Sequence, residues 1–229
     1  PLLKGEDKCD VCVIGGGLTG LSSALHLAEC GYNVVLLESQ KVGWGASGRN
    51  GGQLGGGQRQ DQETLEKILG NDVAHQMWDF AEEAKTYSKS LINQYNIPCD
   101  YKPGIMYVAI KPDHAEWERR YIDKLRTEYN YHGRVPLSRQ EIGELIGSTN
   151  YYGGMIEESA GHLHPLNFAL GFARAAEAAG VKIYENSRVL KYERKSPTIV
   201  HTDEGSVTAE FVVLACNGYL EKLEPRVAG

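Results

Sequence analysis

The chain has 229 residues, 41% hydrophobic and 24% charged, an ordinary soluble globular composition and enough for one large domain or two small ones. A net charge of -6 with no run of Lys and Arg argues against a nucleic-acid partner, and no apolar run reaches the roughly 18 residues of a membrane span. The opening PLLKGEDKCD lacks the apolar core of a signal peptide, and five cysteines, an odd and scattered number, point to reduced thiols, so the expected setting is cytoplasmic.

Residues 10 to 38 change their hydrophobic period twice. Val11 to Ile14 is a continuous apolar run, expected of a strand buried on both faces. Cys9 and Cys12 spell C-x-x-C, but on a strand positions three apart face opposite ways, so neither a disulfide nor a metal site is expected of them. Glycines 15, 16, 17 and 20 follow. Leu21, Ala24, Leu25 and Ala28 then recur at helical spacing, Gly31 stands where a left-handed cap belongs, and Val34 to Leu37 forms a second buried strand ending in Glu38. The unit reads as strand, helix, parallel strand.

Next comes GWGASGRNGGQLGGG, with eight glycines in fifteen residues. So much glycine is costly in regular structure, and a bound ligand can offset the cost of ordering it. Residues 61 to 96 are helical in pattern, 104 to 110 read as a strand, 112 to 130 as a charged amphipathic helix, and 152 to 159 as another strand. Pro165 opens a helix with a stripe at Leu166, Ala169, Leu170 and Ala173, and Gly180 closes it. Strands are expected at 181 to 185, 187 to 194, 197 to 203 and 210 to 215, with a hairpin turn at Glu204-Gly205. This divides the chain into 1 to 60, an inserted segment from 61 to 155, and a return to the first domain from 156 to 229.

Gly15, Gly17 and Gly20 match G-x-G-x-x-G, a weak signal alone. Here it directly follows a buried strand, opens a helix, and precedes Glu38 at the end of the next strand, the context of a dinucleotide fingerprint. The helix N-terminus offers N–H groups to phosphates, and Glu38 would accept from ribose hydroxyls while repelling a 2'-phosphate, which disfavours NADP. Ser47, Arg49, Asn50 and Gln53, set among glycines, could present a hydroxyl, a guanidinium and backbone amides to anionic oxygens. His162 and His164 form H-x-H but read as structural, in a loop, with His164 near a helix N-cap; no metal is expected. Glu157 and Glu158 read as a solvated pair, with binding of a substrate amine as the rarer alternative. His26 reads as a surface residue. Tyr101, Tyr107, Tyr151 and Tyr152 read equally as strand packing or a cavity lining.

GGGLTGLSSALHLAECGYNVVLLE followed by GWGASGRNGGQL resembles the FAD-dependent oxidoreductases of the D-amino acid oxidase family. CDYKPGIMYVA and GHLHPLN bring the likeness nearest to the gamma-glutamylputrescine oxidase branch. The resemblance implies an α/β fold, a Rossmann-like FAD-binding domain of glutathione-reductase type with an inserted, incomplete α+β substrate domain. It implies that Gly15, Gly17, Leu18, Thr19, Gly20, Glu38 and Ser39 hold the ADP half of FAD. Ser47, Arg49, Asn50, Gly51, Gly52, Gln53 and Leu54 would run beside pyrophosphate and flavin, Val189 near adenine, and Ala215 to Gly218 over the dinucleotide. Asn50 stands where some relatives carry a flavin-linked histidine, so non-covalent FAD is expected. The implied reaction, part of putrescine catabolism, oxidises a small-molecule amine with O2 to imine and aldehyde, giving H2O2, with no single catalytic side chain in this chain. Family members are nearly twice as long, which implies a missing C-terminal half or a partner chain. A glycine or sarcosine-type oxidase, a flavin dehydrogenase, a non-catalytic flavin-binding fragment and an NAD-dependent dehydrogenase remain alternatives.

Overall fold

The computed structural model describes residues 1–220 and 223–227. It divides into two compact units, one made of Pro1–Gly51, Ile92–Cys99 and His164–Gly229, the other of Gly52–Leu91 and Asp100–Leu163. Strand β1 (Gly5–Ile14) is longer than its apolar run, and only its last four residues, Val11 to Ile14, are all buried. Helix α1 (Leu18–Glu29) buries Gly20, Leu21, Ala24 and Leu25, close to the expected stripe. Gly31, at φ +89°, turns the chain into β2 (Val34–Leu37), which pairs in parallel with β1 through Cys12↔Val35 and Ile14↔Leu37.

One expectation about β1 is corrected. The amides of Asp10 and Val11 both donate to the Asn33 carbonyl, at 2.9 and 3.2 Å, and across this break the alternation slips by one residue. Cys9 and Cys12 therefore share one hydrophobic cluster, with Leu3, Ile14, Val35 and Leu37, instead of facing opposite ways. Both are free thiols, and burial pushes Cys9 up to about 11 and raises Cys12 too, so they act as small apolar side chains.

After a 3-10 turn at Ala46–Gly48 come β3 (Gln53–Leu54), α2 (Gln62–Leu69), α3 (Asn71–Gln94), β4 (Lys102–Val108), α4 (Pro112–Glu128), β5 (Arg134–Leu137), α5 (Arg139–Ile146) and β6 (Gly154–His162). β6 organises the second sheet: it pairs antiparallel with β4 from Lys102↔His162 to Val108↔Gly154, with β5 through Arg134↔Glu157, and with β3 through Gln53↔His162. The second unit, Gly52–Leu91 with Asp100–Leu163, takes in both β3 and the whole of β6. His162 accordingly ends a strand and is not in a loop. The sequence reading passed over β5 and α5, although Ser138 and Glu141 form a reciprocal capping box.

Glu157 is not the solvated residue expected. It is fully buried, accepting from Tyr131 Oη at 2.8 Å and Arg134 Nε at 3.0 Å, with Lys85 Nζ at 3.7 Å. Lys85 is itself buried and donates to Glu82 at 2.6 Å and Ser159 Oγ at 2.9 Å. Buried charges are tolerable only when paired in this way.

The chain completes its first unit with α6 (Pro165–Ala178), β7 (Lys182–Tyr184), β8 (Lys191–Tyr192), β9 (Thr198–His201), β10 (Gly205–Leu214) and a 3-10 turn at Asn217–Leu220. His164 caps α6, its Nδ1 accepting from the Asn167 amide at 3.3 Å. The six-stranded sheet has the order β7-β2-β1-β10-β9-β8; β7, β2, β1 and β10 are mutually parallel, and β9 and β8 add on as antiparallel strands. Of the strand expected at 187 to 194, Lys191–Tyr192 forms β8, with the Leu190 amide donating to the His201 carbonyl and the Glu193 amide to the Ile199 carbonyl, while Arg188, Val189 and Leu190 line the cleft described next. Among the described residues, no helix is long and apolar enough to cross a membrane.

Candidate functional site

Strand β1 is flanked by β2, reached through α1, and on its other side by β10. The connections on the two sides leave in different directions, which opens a crevice beyond the carboxyl ends of the strands. A cleft of about 550 Å³ lies there in the first unit, floored by Gly15, Gly16 and Gly17. Its size falls within the roughly 300–1,000 Å³ of small-molecule sites.

Two glycines explain why the floor is bare backbone. Gly15 sits at φ +115°, and a Cβ there would stand 2.5 Å from the Ala215 carbonyl oxygen. At Gly20, in the first turn of α1, a Cβ would lie 1.9 Å from the Gly15 carbonyl oxygen. No side chain fits either gap, so α1 packs directly on the turn and its N-terminus points into the cleft, with Gly17 as an N-cap that lacks a side chain. Helix N-termini of this kind favour anions through unpaired N–H groups and about half a positive charge.

Glu38, next after β2, is placed by its own backbone: its amide donates to the Tyr184 carbonyl, and its carbonyl accepts from Ser187. Its carboxylate accepts from the Gly16 amide at 2.6 Å and, on the other oxygen, from the Gln40 amide at 2.8 Å and Ser39 Oγ at 3.1 Å. Three donors on about four lone-pair positions leave acceptor capacity facing the cleft. Ser47 Oγ accepts from the Leu18 amide at 3.0 Å, tying the glycine loop to the first turn of α1.

Gly15, Gly17, Leu18, Thr19, Glu38, Ser39, Ser47, Val189 and Ala215 all line this one cleft, with Gly20 packed beneath it. The other singled-out residues lie elsewhere. Arg49 Nε donates to the Trp44 carbonyl and its guanidinium stacks on the Trp44 ring, 4.6 Å from the centroid, so its charge is directed at a neighbour. Asn50 Nδ2 donates to the Ala46 and Ser47 carbonyls, both at 3.0 Å, pinning the loop from behind. Gly51 ends the first segment of the first unit, while Gly52, Gln53 and Leu54 belong to the second unit, where the last two form β3. Gly218 is outside the lining, though Cys216 and Asn217 beside it are within. The sequence reading missed Gln40, Trp44, Arg188 and Tyr219 as lining residues; only Trp44, a lone aromatic between loop glycines, carried a visible signal.

An anion cradle of backbone amides beside a carboxylate suits a ligand with phosphates joined to a ribose. The adenosine diphosphate portion of FAD has that form, and the residues present fit it. No group of three or more His, Cys, Asp or Glu able to hold a metal occurs among the described residues.

Comparison with known proteins gives the family. A family model described as DAO, FAD dependent oxidoreductase, matches residues 10–228. The chain is 40% identical over 224 residues to gamma-glutamylputrescine oxidoreductase of Escherichia coli (strain K12), covering 96% of this chain and 52% of that protein. It is 38% identical over 229 residues to the probable oxidoreductase OrdL of Rhizobium meliloti (strain 1021), covering 100% of this chain and 54% of the relative. Among solved structures, glycine oxidase from Geobacillus kaustophilus superposes with a TM-score of 0.78 at 24% identity, over 96% of this chain and 58% of its own. That likeness establishes a shared fold. The chain thus spans about half the length of the curated relatives it matches.

Proposed function

This chain belongs to the FAD-dependent oxidoreductase family, and on that premise we propose that it is the cofactor-holding half of an enzyme that oxidises an amine of the gamma-glutamylputrescine kind. The observation that carries the cofactor reading is the cleft itself, where the side-chain-free turn from Gly15 to Gly17 meets the α1 N-terminus and the Glu38 carboxylate. The amine class is supported by the 40% identity to a gamma-glutamylputrescine oxidoreductase.

In this reading the amides at the start of α1 hold the pyrophosphate, Glu38 accepts from the ribose hydroxyls, and Val189 borders the adenine. Ser47 keeps the glycine loop seated on α1, and Asn50 keeps it folded. With an asparagine at position 50, the cofactor is held without a covalent link there. When bound, FAD supplies a two-electron acceptor for oxidation at the carbon beside the amine nitrogen, with O2 as final oxidant, H2O2 as product, and hydrolysis of the imine yielding the aldehyde. This chain's residues contribute binding and orientation, and the groups that grip the amine belong to sequence beyond it.

Reconstitution tests the proposal. The full-length protein should take up FAD, show two visible flavin bands, release all flavin on acid precipitation, and consume O2 with gamma-glutamylated or simple diamines ahead of glycine or sarcosine. Glu38→Gln should weaken FAD binding by about 10- to 150-fold, the equivalent of one charge-assisted hydrogen bond of roughly 1.5–3 kcal/mol. Preference for NADH with no flavin bands would overturn the cofactor reading, and turnover confined to N-methyl amino acids would overturn the amine class.

A further inference from the structure

We propose that Trp44 and Tyr219 form an aromatic clasp over the dinucleotide in the cleft of the first unit, with Arg49 as the residue that positions Trp44, and that this clasp sets how fast the cofactor leaves. The inference rests on reading the cleft as an FAD site and extends it to three side chains that the cradle does not otherwise employ.

Trp44, from the glycine loop, and Tyr219, from the 3-10 turn after β10, both line the cleft. Their rings meet edge to face, with centroids 6.5 Å apart and planes at 62°. Both line the cleft, yet they are 45% and 61% exposed. Large rings left in water at the lip of a ligand cleft have apolar area still to bury, and a ligand's ring or sugar face supplies the surface. Their polar tips can remain in solvent while the ring bodies cover the ligand.

The geometry also shows what holds the clasp. The Arg49 guanidinium lies against the Trp44 ring while its Nε holds the Trp44 carbonyl, so one side chain grips both the backbone and the ring of its target. Gly45 lets the two rings meet, because a Cβ there would approach within 3.1 Å of a Tyr219 ring carbon. Arg49 was expected to serve the cofactor's anionic oxygens; on this geometry it serves the cofactor through Trp44.

The test is release of FAD from the full-length holoprotein, followed by flavin fluorescence in stopped flow after dilution into excess ADP, which refills the vacated cleft. Trp44→Ala and Tyr219→Ala should each speed release by about tenfold, and Trp44→Phe and Tyr219→Phe by about threefold at most. Arg49→Gln should speed release about fivefold with Trp44 present and less than about twofold in the Trp44→Ala background, since an effect that acts through Trp44 vanishes with it. Unchanged release in Trp44→Ala and Tyr219→Ala, with circular dichroism and melting like the parent, would overturn the clasp. Independent, multiplying effects of Arg49→Gln and Trp44→Ala would overturn the positioning role. Should Trp44→Ala fail to fold, Tyr219→Ala, on an exposed turn, decides alone. If the FAD reading itself is wrong the outcome differs: the parent protein then yields no flavin signal at all.

Discussion

Gly20→Ala is the sharpest perturbation of the cradle, because it adds one methyl group where the structure has no room. The new Cβ would lie 1.9 Å from the Gly15 carbonyl oxygen and 3.3 Å from Ala215 Cβ, against an ordinary contact of at least 3.4 Å. Relief requires the start of α1 to retreat by about 1.5 Å, the difference between 3.4 and 1.9 Å. Leu21, Ala24 and Leu25 are buried behind it with no exposed surface, so the helix cannot move without disturbing the core. Overpacking of this sort costs about 1–3 kcal/mol, and for a chain of this size each kcal/mol lowers Tm by about 2–4 °C. The same retreat stretches any hydrogen bond from the first-turn amides to a phosphate beyond useful length. Losing one charge-assisted bond of roughly 1.5–3 kcal/mol weakens FAD binding by about 10- to 150-fold. Gly31→Ala is the control: φ there is +89° but nothing lies within 4 Å, so it should cost about 1–2 kcal/mol of stability and leave affinity alone. FAD titration by flavin fluorescence, alongside thermal melting, checks both. A Gly20→Ala protein that melts like the parent and binds FAD as tightly would refute the close-packing argument.

Two further outcomes concern stability. Lys85→Met removes the buried cation that half-buried Glu82 and fully buried Glu157 share, and should cost about 3–5 kcal/mol in urea unfolding, with part recovered by adding Glu82→Gln. Glu224, almost fully buried, is held down to about 2, from an ordinary 4.5, first by Arg226 and then by Tyr192, with Arg194 also bonded to it at 2.7 Å. A carboxylate lowered by folding stabilises fully above its unfolded value and loses that contribution as the pH falls through its folded one. Melting followed from pH 6 down should therefore show the parent losing stability relative to Glu224→Gln between about 4.5 and 2, with the gap constant above that window. A gap independent of pH throughout would contradict the assignment.

Much of the first unit was legible because its signals are local. A buried apolar run, glycines at fixed offsets, a stripe at 3.6-residue spacing and an acidic residue at the next strand end are statements about neighbouring residues, and β1, α1, β2 and the cleft floor follow from them. The family resemblance was equally available, since it resides in the same contiguous motifs. The capping box that opens α5 was local too, and was simply passed over.

What escaped the one-dimensional reading depends on partners far along the chain. The glycine loop's composition announced a ligand, yet only the packing shows Arg49 turned onto Trp44 and Trp44 meeting Tyr219. Two amides sharing the Asn33 carbonyl shifted the β1 alternation and brought Cys9 and Cys12 into one cluster, which period-two counting excluded. Glu157 looks the same as Glu158 in sequence, but the cations from α3 and β5 make its burial possible. Sequence by itself determined where the backbone must bend and which residues could face a nucleotide, because steric limits on glycine and periodic burial act within a few residues. Tertiary structure alone decided which charges are buried and which side chains line the cleft, because pairing and desolvation depend on what the rest of the chain brings alongside.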